Sequence, residues 1–232
     1  MSATVLAEKM PVAARRGEYR GVETVAAYSD PRSEFAEMIS GGAVYDLGWR
    51  AKIELTGKDR GRWLNGMVTN NVRDLAPGHG VYAFVLTPQG RILGDLYAYN
   101  RGESFLLDTD QSQVPKLLEI FRRYIIMDKV EINNVSDKLT AVGITGPKSA
   151  EVLRRAGMEV PQLAALQVTD FAWQAINLTL IRGENEPRES YEIWLAPENV
   201  ERLWAALVAA CATPVGSASS SNSTASRSRS AR

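Results

Sequence analysis

Residues Leu55–Tyr99 read LTGKDRGRWLNGMVTNNVRDLAPGHGVYAFVLTPQGRILGDLYAY. Gly57 permits a tight turn, and Asp59 stands where it can cap a helix carrying Trp63, Leu64 and Met67. Pro77-Gly78-His79-Gly80 is a turn that leads into VYAFVL, a near-continuous apolar run suited to a buried strand. Thr87-Pro88-Gln89-Gly90 turns the chain into RILGDLYAY, whose one acid is Asp95. SFLLDT follows after Arg101-Gly102, so the stretch predicts a helix followed by an antiparallel meander.

Outward from this stretch the alternation of elements continues. Val114, Leu117, Leu118, Phe121 and Ile125 share one face of a helix predicted over Gln113 to Ile126. Strands are expected at 130–135 and 139–145, then a helix opened by Gly146-Pro147. Further strands are expected at 166–171, 176–182 and 191–195, with a closing helix over 197–210. Upstream, Phe35, Met38 and Ile39 predict a short amphipathic helix, followed by strands at 44–47 and 51–56. The class is α+β, antiparallel sheets with packed helices. The order strand–helix–strand–strand–helix–strand within residues 52–145 predicts a ferredoxin-like subdomain. Residues 1–32 lack sustained periodicity and read as a flexible leader, 33–211 as the folded domain. Residues 212–232 read as a disordered Ser/Arg-rich tail. No short-period repeat is visible.

Composition excludes several functions. With 45% apolar and 23% charged residues the 232-residue chain is ordinary for a globular protein. Its 27 basic and 27 acidic side chains balance, leaving no global field for nucleic acid or an anionic membrane. No run approaches the ~18 apolar residues of a membrane span. The single cysteine, Cys211, and single histidine, His79, rule out a disulfide framework and a multi-cysteine or multi-histidine metal site within one chain. A reducing cytoplasm is the expected compartment.

The 55–99 stretch, together with RRYIIMDKVEI (Arg122 to Ile132) and ITGPKSAEVL (Ile144 to Leu153), resembles the folate-binding proteins related to the aminomethyltransferase, or T-protein, of the glycine cleavage system. Within that group it is most similar to the YgfZ-type branch, which is associated with iron–sulfur protein maturation. The resemblance covers roughly Glu34 to Leu207. It implies an aminomethyltransferase-type folate-binding fold, tetrahydrofolate or a one-carbon derivative as ligand, and iron–sulfur proteins as clients. In the aminomethyltransferases the turn at Asp95 reads approximately Gly-Gly-x-x-Asp-Asp-Leu. Here Gly90-Arg91-Ile92-Leu93-Gly94-Asp95-Leu96 keeps only the second acid. That single acid argues for binding without turnover, with aminomethyl transfer as the alternative and a docking module as a third.

The resemblance implies Asp95 as the ligand-facing carboxylate and the candidate catalytic group, Glu184 as a pterin anchor, and Met67 and Asn70 as one wall of the cleft. A carboxylate suits this work because it can accept paired N–H donors from an amino-pyrimidine edge. In the loop RGENEPRESYEIW, Glu186 and Glu189 compete with Glu184 for the anchor position. Tyr82 and Tyr99 are candidates to stack on a flat heterocycle, with strand packing as the other reading. The family continues past residue 212 with an arginine near the ligand, a small barrel and a Lys-Gly-Cys-type motif. SASSSNSTASRSRSAR stands there instead, which raises the expectation of a frameshift or truncation within 212–220.

Overall fold

The structure is a computed structural model, and it describes residues 2–10, 14–184 and 189–212. The tail and the frameshift expectation, and the alternative anchor Glu186, lie outside the described residues. Two five-stranded sheets and one three-stranded sheet form the frame.

The chain opens with β1 (Ser2–Ala3), α1 (Val5–Lys9), β2 (Arg15–Tyr19) and β3 (Val22–Ala27), which form the small sheet in the order β1-β3-β2. These residues were expected to be a leader. They are instead anchored, because Leu6 and Ala7 are fully buried and Thr4 and Thr24 both donate to the buried Asp46 carboxylate. α2 (Pro31–Ser40) follows, capped by Asp30, which accepts from the Ser33 backbone N–H at 3.1 Å. It has the predicted amphipathic spacing but buries none of its residues, and Phe35 and Ile39 are exposed.

β4 (Ala43–Asp46) and β5 (Arg50–Thr56) diverge into different sheets. The first unit then runs α3 (Arg60–Met67), β6 (Gly80–Leu86), β7 (Ile92–Asn100), β8 (Phe105–Asp110), a 3-10 turn at Gln111–Gln113, α4 (Val114–Arg123) and β9 (Glu131–Asn134). Its sheet has the order β6-β7-β8-β5-β9 and is antiparallel throughout. This is the predicted ferredoxin-like arrangement with one strand added. It closes at β9 and not, as expected, with the strand at 139–145.

That strand, β10 (Thr140–Thr145), begins a second unit: α5 (Ser149–Arg155), β11 (Val168–Trp173), β12 (Ile176–Arg182), β13 (Ser190–Leu195), a 3-10 turn at Pro197–Asn199 and α6 (Val200–Ala212). Its order, β11-β12-β13-β10-β4, repeats the first sheet position for position, with β4 taking the place of β9. Val114, Leu117 and Phe121 of α4 correspond to Val200, Leu203 and Leu207 of α6, and all six are buried. The two units therefore repeat one topology, at a spacing too long to show as a short-period repeat.

Alternation along the strands explains the layering. In the first unit Ile53, Leu55, Ala83, Val85, Leu96, Ala98 and Leu107 face α3 and α4, where they meet Trp63, Leu64, Leu117 and Phe121. The second unit packs Val142, Ile144, Leu180 and Ile193 under α5 and α6 in the same way. The remaining faces of the two sheets meet each other through Leu47, Tyr99, Leu106, Ala141, Val168, Ile181 and Trp194. The result is helices, sheet, sheet, helices. The His79 backbone bridges to that of Gln167 and ties the two sheets at one end.

Candidate functional site

The face of the first sheet turned from its helices is polar and aromatic. One row across it is Tyr82, Tyr97, Asp108 and Lys52, each directly opposite the next. Phe84 and Asp95 form the adjacent pair, and Arg50 lies opposite Asp110. Lys52 and Asp108 are buried against the second sheet, while Tyr82, Phe84, Asp95 and Tyr97 are only half-buried.

Asp95 is held from three sides. The Tyr82 hydroxyl donates to Oδ2 at 2.9 Å, and Gln113 Nε2 donates to Oδ1 at 2.8 Å. The Asp95 backbone N–H donates to Gln113 Oε1 at 2.9 Å, and Thr109 Oγ1 donates to the Asp95 carbonyl at 2.7 Å. The Tyr82 ring lies 4.9 Å from Tyr97 and 5.2 Å from Phe84. Tyr97 donates its hydroxyl to Glu184 Oε2 at 3.1 Å, which brings Glu184, just after β12, to the aromatic row. Burial, and then the Asp95 hydrogen bond, push the Tyr82 phenol up to about 12. Burial and Glu184 push Tyr97 up as well.

Beside this row lies a buried ion cluster. Asp108 accepts from Lys52 Nζ at 2.8 Å and Arg50 Nε at 2.6 Å. Lys52 and Asp108 are fully buried, and a lysine is rarely buried without such a partner. Burial alone would lower the Arg50 pKa, but Asp108 and Glu192 outweigh it and raise it. The guanidinium also lies 5.6 Å from the Tyr97 ring centre and 5.4 Å from that of Trp49. The N-terminal hairpin reaches this end of the face. Its two-residue turn, Arg20-Gly21, has positive φ at both positions, the geometry that favours glycine and matches strand twist. The turn sets Arg20 Nη1 2.9 Å from Asp110 Oδ2 and the Tyr19 ring 4.5 Å from Trp49.

The expected site residues divide. Asp95, Glu184 and Tyr82 come together. Asn70 is exposed at their margin, donating Nδ2 to the Tyr82 carbonyl at 3.1 Å, so it braces the edge of β6. Tyr99 is a correction: it is 1% exposed and packs edge-on to Trp194 at 5.2 Å, so neither ring face is open to a ligand. Met67 is another. It ends α3 on the opposite side of the sheet and lines a separate cleft of about 770 Å³ with Leu86, Leu93, Ile120 and Tyr124. Glu189 is turned towards α5, accepting from the Ala150 N–H at 3.3 Å.

A third correction concerns Gly94. The missing second acid is not a gap in the polar face, because a side chain at 94 would point to the helix side. Its Cβ would meet Gln113 Oε1 at 2.5 Å and Leu117 Cδ2 at 3.1 Å. Tyr97, Gln113 and Arg50 were missed. Tyr97 was findable, since it lies two residues from Asp95 on one strand. Gln113 carries no local signal.

Cys211 is half-buried. Its thiol donates to the Gly42 carbonyl at 3.3 Å, and burial with Glu37 pushes it up to about 11. Among the described residues no cluster of metal-ligating side chains is found, and no helix is long and apolar enough to cross a membrane.

Known proteins share both sequence and frame. The chain is 26% identical over 211 residues to an aminomethyltransferase of Rubrobacter xylanophilus, covering 90% of this chain and 56% of that protein. It is 26% identical over 194 residues to the aminomethyltransferase of Bacillus subtilis, covering 82% and 53%. Thus the chain spans about half the length of the curated relatives it matches. The structure of the glycine cleavage system aminomethyltransferase T from Bartonella henselae superposes with a TM-score of 0.77 at 18% identity, over 89% of this chain and 57% of that one. A chain of the heterotetrameric sarcosine oxidase from Corynebacterium sp. U-96 gives 0.57 at 16% identity, over 80% of this chain and 94% of that one. These two likenesses concern the fold. The description "GCVT N-terminal domain" matches residues 10–222, most of the chain, and the chain belongs to that family.

Proposed function

We propose that the polar face of the first sheet binds a reduced folate, and that the protein acts by binding it without turnover of its own. The observation that carries this reading is Asp95, set among Tyr82, Phe84 and Tyr97 with both oxygens already accepting hydrogen bonds. The donor set suits the ligand. Tyr82 and Tyr97 offer aromatic surface to a flat ring system, while Asp95 and Glu184 offer carboxylate oxygens to its ring and amino N–H groups. Tetrahydrofolate, when bound, supplies nitrogens that carry a one-carbon unit. The chain's own part is to orient the ring and to place a carboxylate acceptor beside it. Binding without turnover accords with the YgfZ-like branch, cytoplasmic, with iron–sulfur enzymes as clients of the folate-loaded protein.

A second reading, aminomethyl transfer to tetrahydrofolate, has in its favour that the curated relatives described above are named aminomethyltransferases. Calorimetric titration of the full chain with tetrahydrofolate, followed by a transfer assay with lipoyl-bound aminomethyl donor, separates the two. The expected result is saturable binding that Asp95→Asn weakens by about tenfold, with no transfer. Transfer lost on Asp95→Asn would establish the second reading, and absence of binding would end both.

A further inference from the structure

Gln113 stands at the end of the 3-10 turn, in the N-cap position of α4, yet its side chain makes no cap bond to that helix. Both ends of its amide bond to Asp95. A backbone N–H can only donate, so the oxygen end of the Gln113 amide must face the Asp95 N–H. The NH2 end is thereby turned onto Oδ1, and Oδ1 has to accept. Tyr82 occupies Oδ2. A carboxylate offers about four lone-pair positions, so acceptor capacity remains on both oxygens. Gly94 is the condition for this arrangement, since any Cβ there would strike the Gln113 oxygen.

We propose that Gln113 is a positioning residue that fixes Asp95 as a hydrogen-bond acceptor at the polar face. The site therefore selects ligands that present N–H donors, such as an amino-substituted nitrogen heterocycle, over ligands presenting only acceptors at that edge. The naming of a ligand rests on the folate reading, whereas the fixing of Asp95 does not.

The test uses the full chain with Gln113→Ala and the near-isosteric Gln113→Glu, each checked for native circular dichroism. In Gln113→Glu one oxygen still takes the Asp95 N–H, and the other opposes Oδ1, so the two acids must share a proton. Tetrahydrofolate affinity should then fall by about tenfold above neutrality and recover on acidification, a profile foreign to the wild type. Gln113→Ala should lose affinity by about tenfold at every pH.

A ligand-free readout is the tyrosinate absorbance of Tyr82, taken as the difference from Tyr82→Phe. In Gln113→Ala, Asp95 is released and the Tyr82 titration should move down from about 12. If Tyr82 moves but the wild type fails to bind tetrahydrofolate, the folate reading falls and the positioning stands. If Tyr82 titrates as in the wild type and Gln113→Glu has the wild-type pH profile, the positioning is overturned.

Discussion

Gly94 shows how much of a site can depend on an atom that is missing. Gly94→Ala places a methyl 2.5 Å from Gln113 Oε1 and 3.1 Å from Leu117 Cδ2, so either the glutamine or the helix must move. Overpacking of this kind costs about 1–3 kcal/mol, which urea unfolding would measure, and it should loosen Asp95 as well. Asp95 was marked in the sequence by the resemblance of its turn, as the one acid kept there. Its partners were not. Gln113 is joined to it only by the return of the chain through β8, and no pattern within either strand announces that contact. Tyr82 and Tyr99 looked equivalent because both alternate with apolar neighbours. The difference between them is how far the second sheet extends over the first, which is a tertiary fact.

Among elements, the N-terminal ones were the least legible. α1 has five residues and only Leu6 and Ala7 buried, too few positions to establish a period. The stretch is nonetheless anchored, through Leu6 in the second unit's core and through Thr4 and Thr24 on Asp46. Leu6→Ala should lower unfolding free energy by about 2–5 kcal/mol in a urea titration, where a leader would register no change. The converse holds for α2. Its sequence was read correctly as an amphipathic helix, but its period did not reveal that the apolar side remains exposed. The longer elements were legible because each repeats its signal: α4 and α6 show full apolar faces, and β6 is a near-continuous apolar run.

At the scale of the whole molecule, the layered order was implicit in the alternation of strands and helices, but the pairing of two sheets face to face was not. That interface contains ionisable groups, and they give it a pH dependence. Burial, then the nearby Asp108, raise the Glu192 pKa above its ordinary 4.5, against the pull of Lys52 and Arg50. An acid with a raised folded pKa contributes stability that is fully present below the unfolded value. That contribution is lost as pH rises through the folded value. Stability should therefore decline above pH 4.5 on this account, and Glu192→Gln should flatten that part of the curve in thermal melts at a series of pH values. The repeat of topology was hidden for a plain reason. Its two copies share topology and the buried positions of their last helices, while the polar face of the first copy has gone its own way.

β4 is made before any strand of the first unit, yet its partner is β10, the opening strand of the second. On a growing chain the first unit can close as soon as β9 is available, while β4 waits for a partner synthesised after that unit is done. The second unit thus borrows a strand from upstream, and the chain clasps the finished first unit between lender and borrower. A fragment beginning at residue 136 should stay unfolded by circular dichroism. Supplying residues 43–46 within an N-terminal fragment should restore the fold. Order of synthesis is in this sense written into the sheet, since the second unit is completed by a strand made before the first.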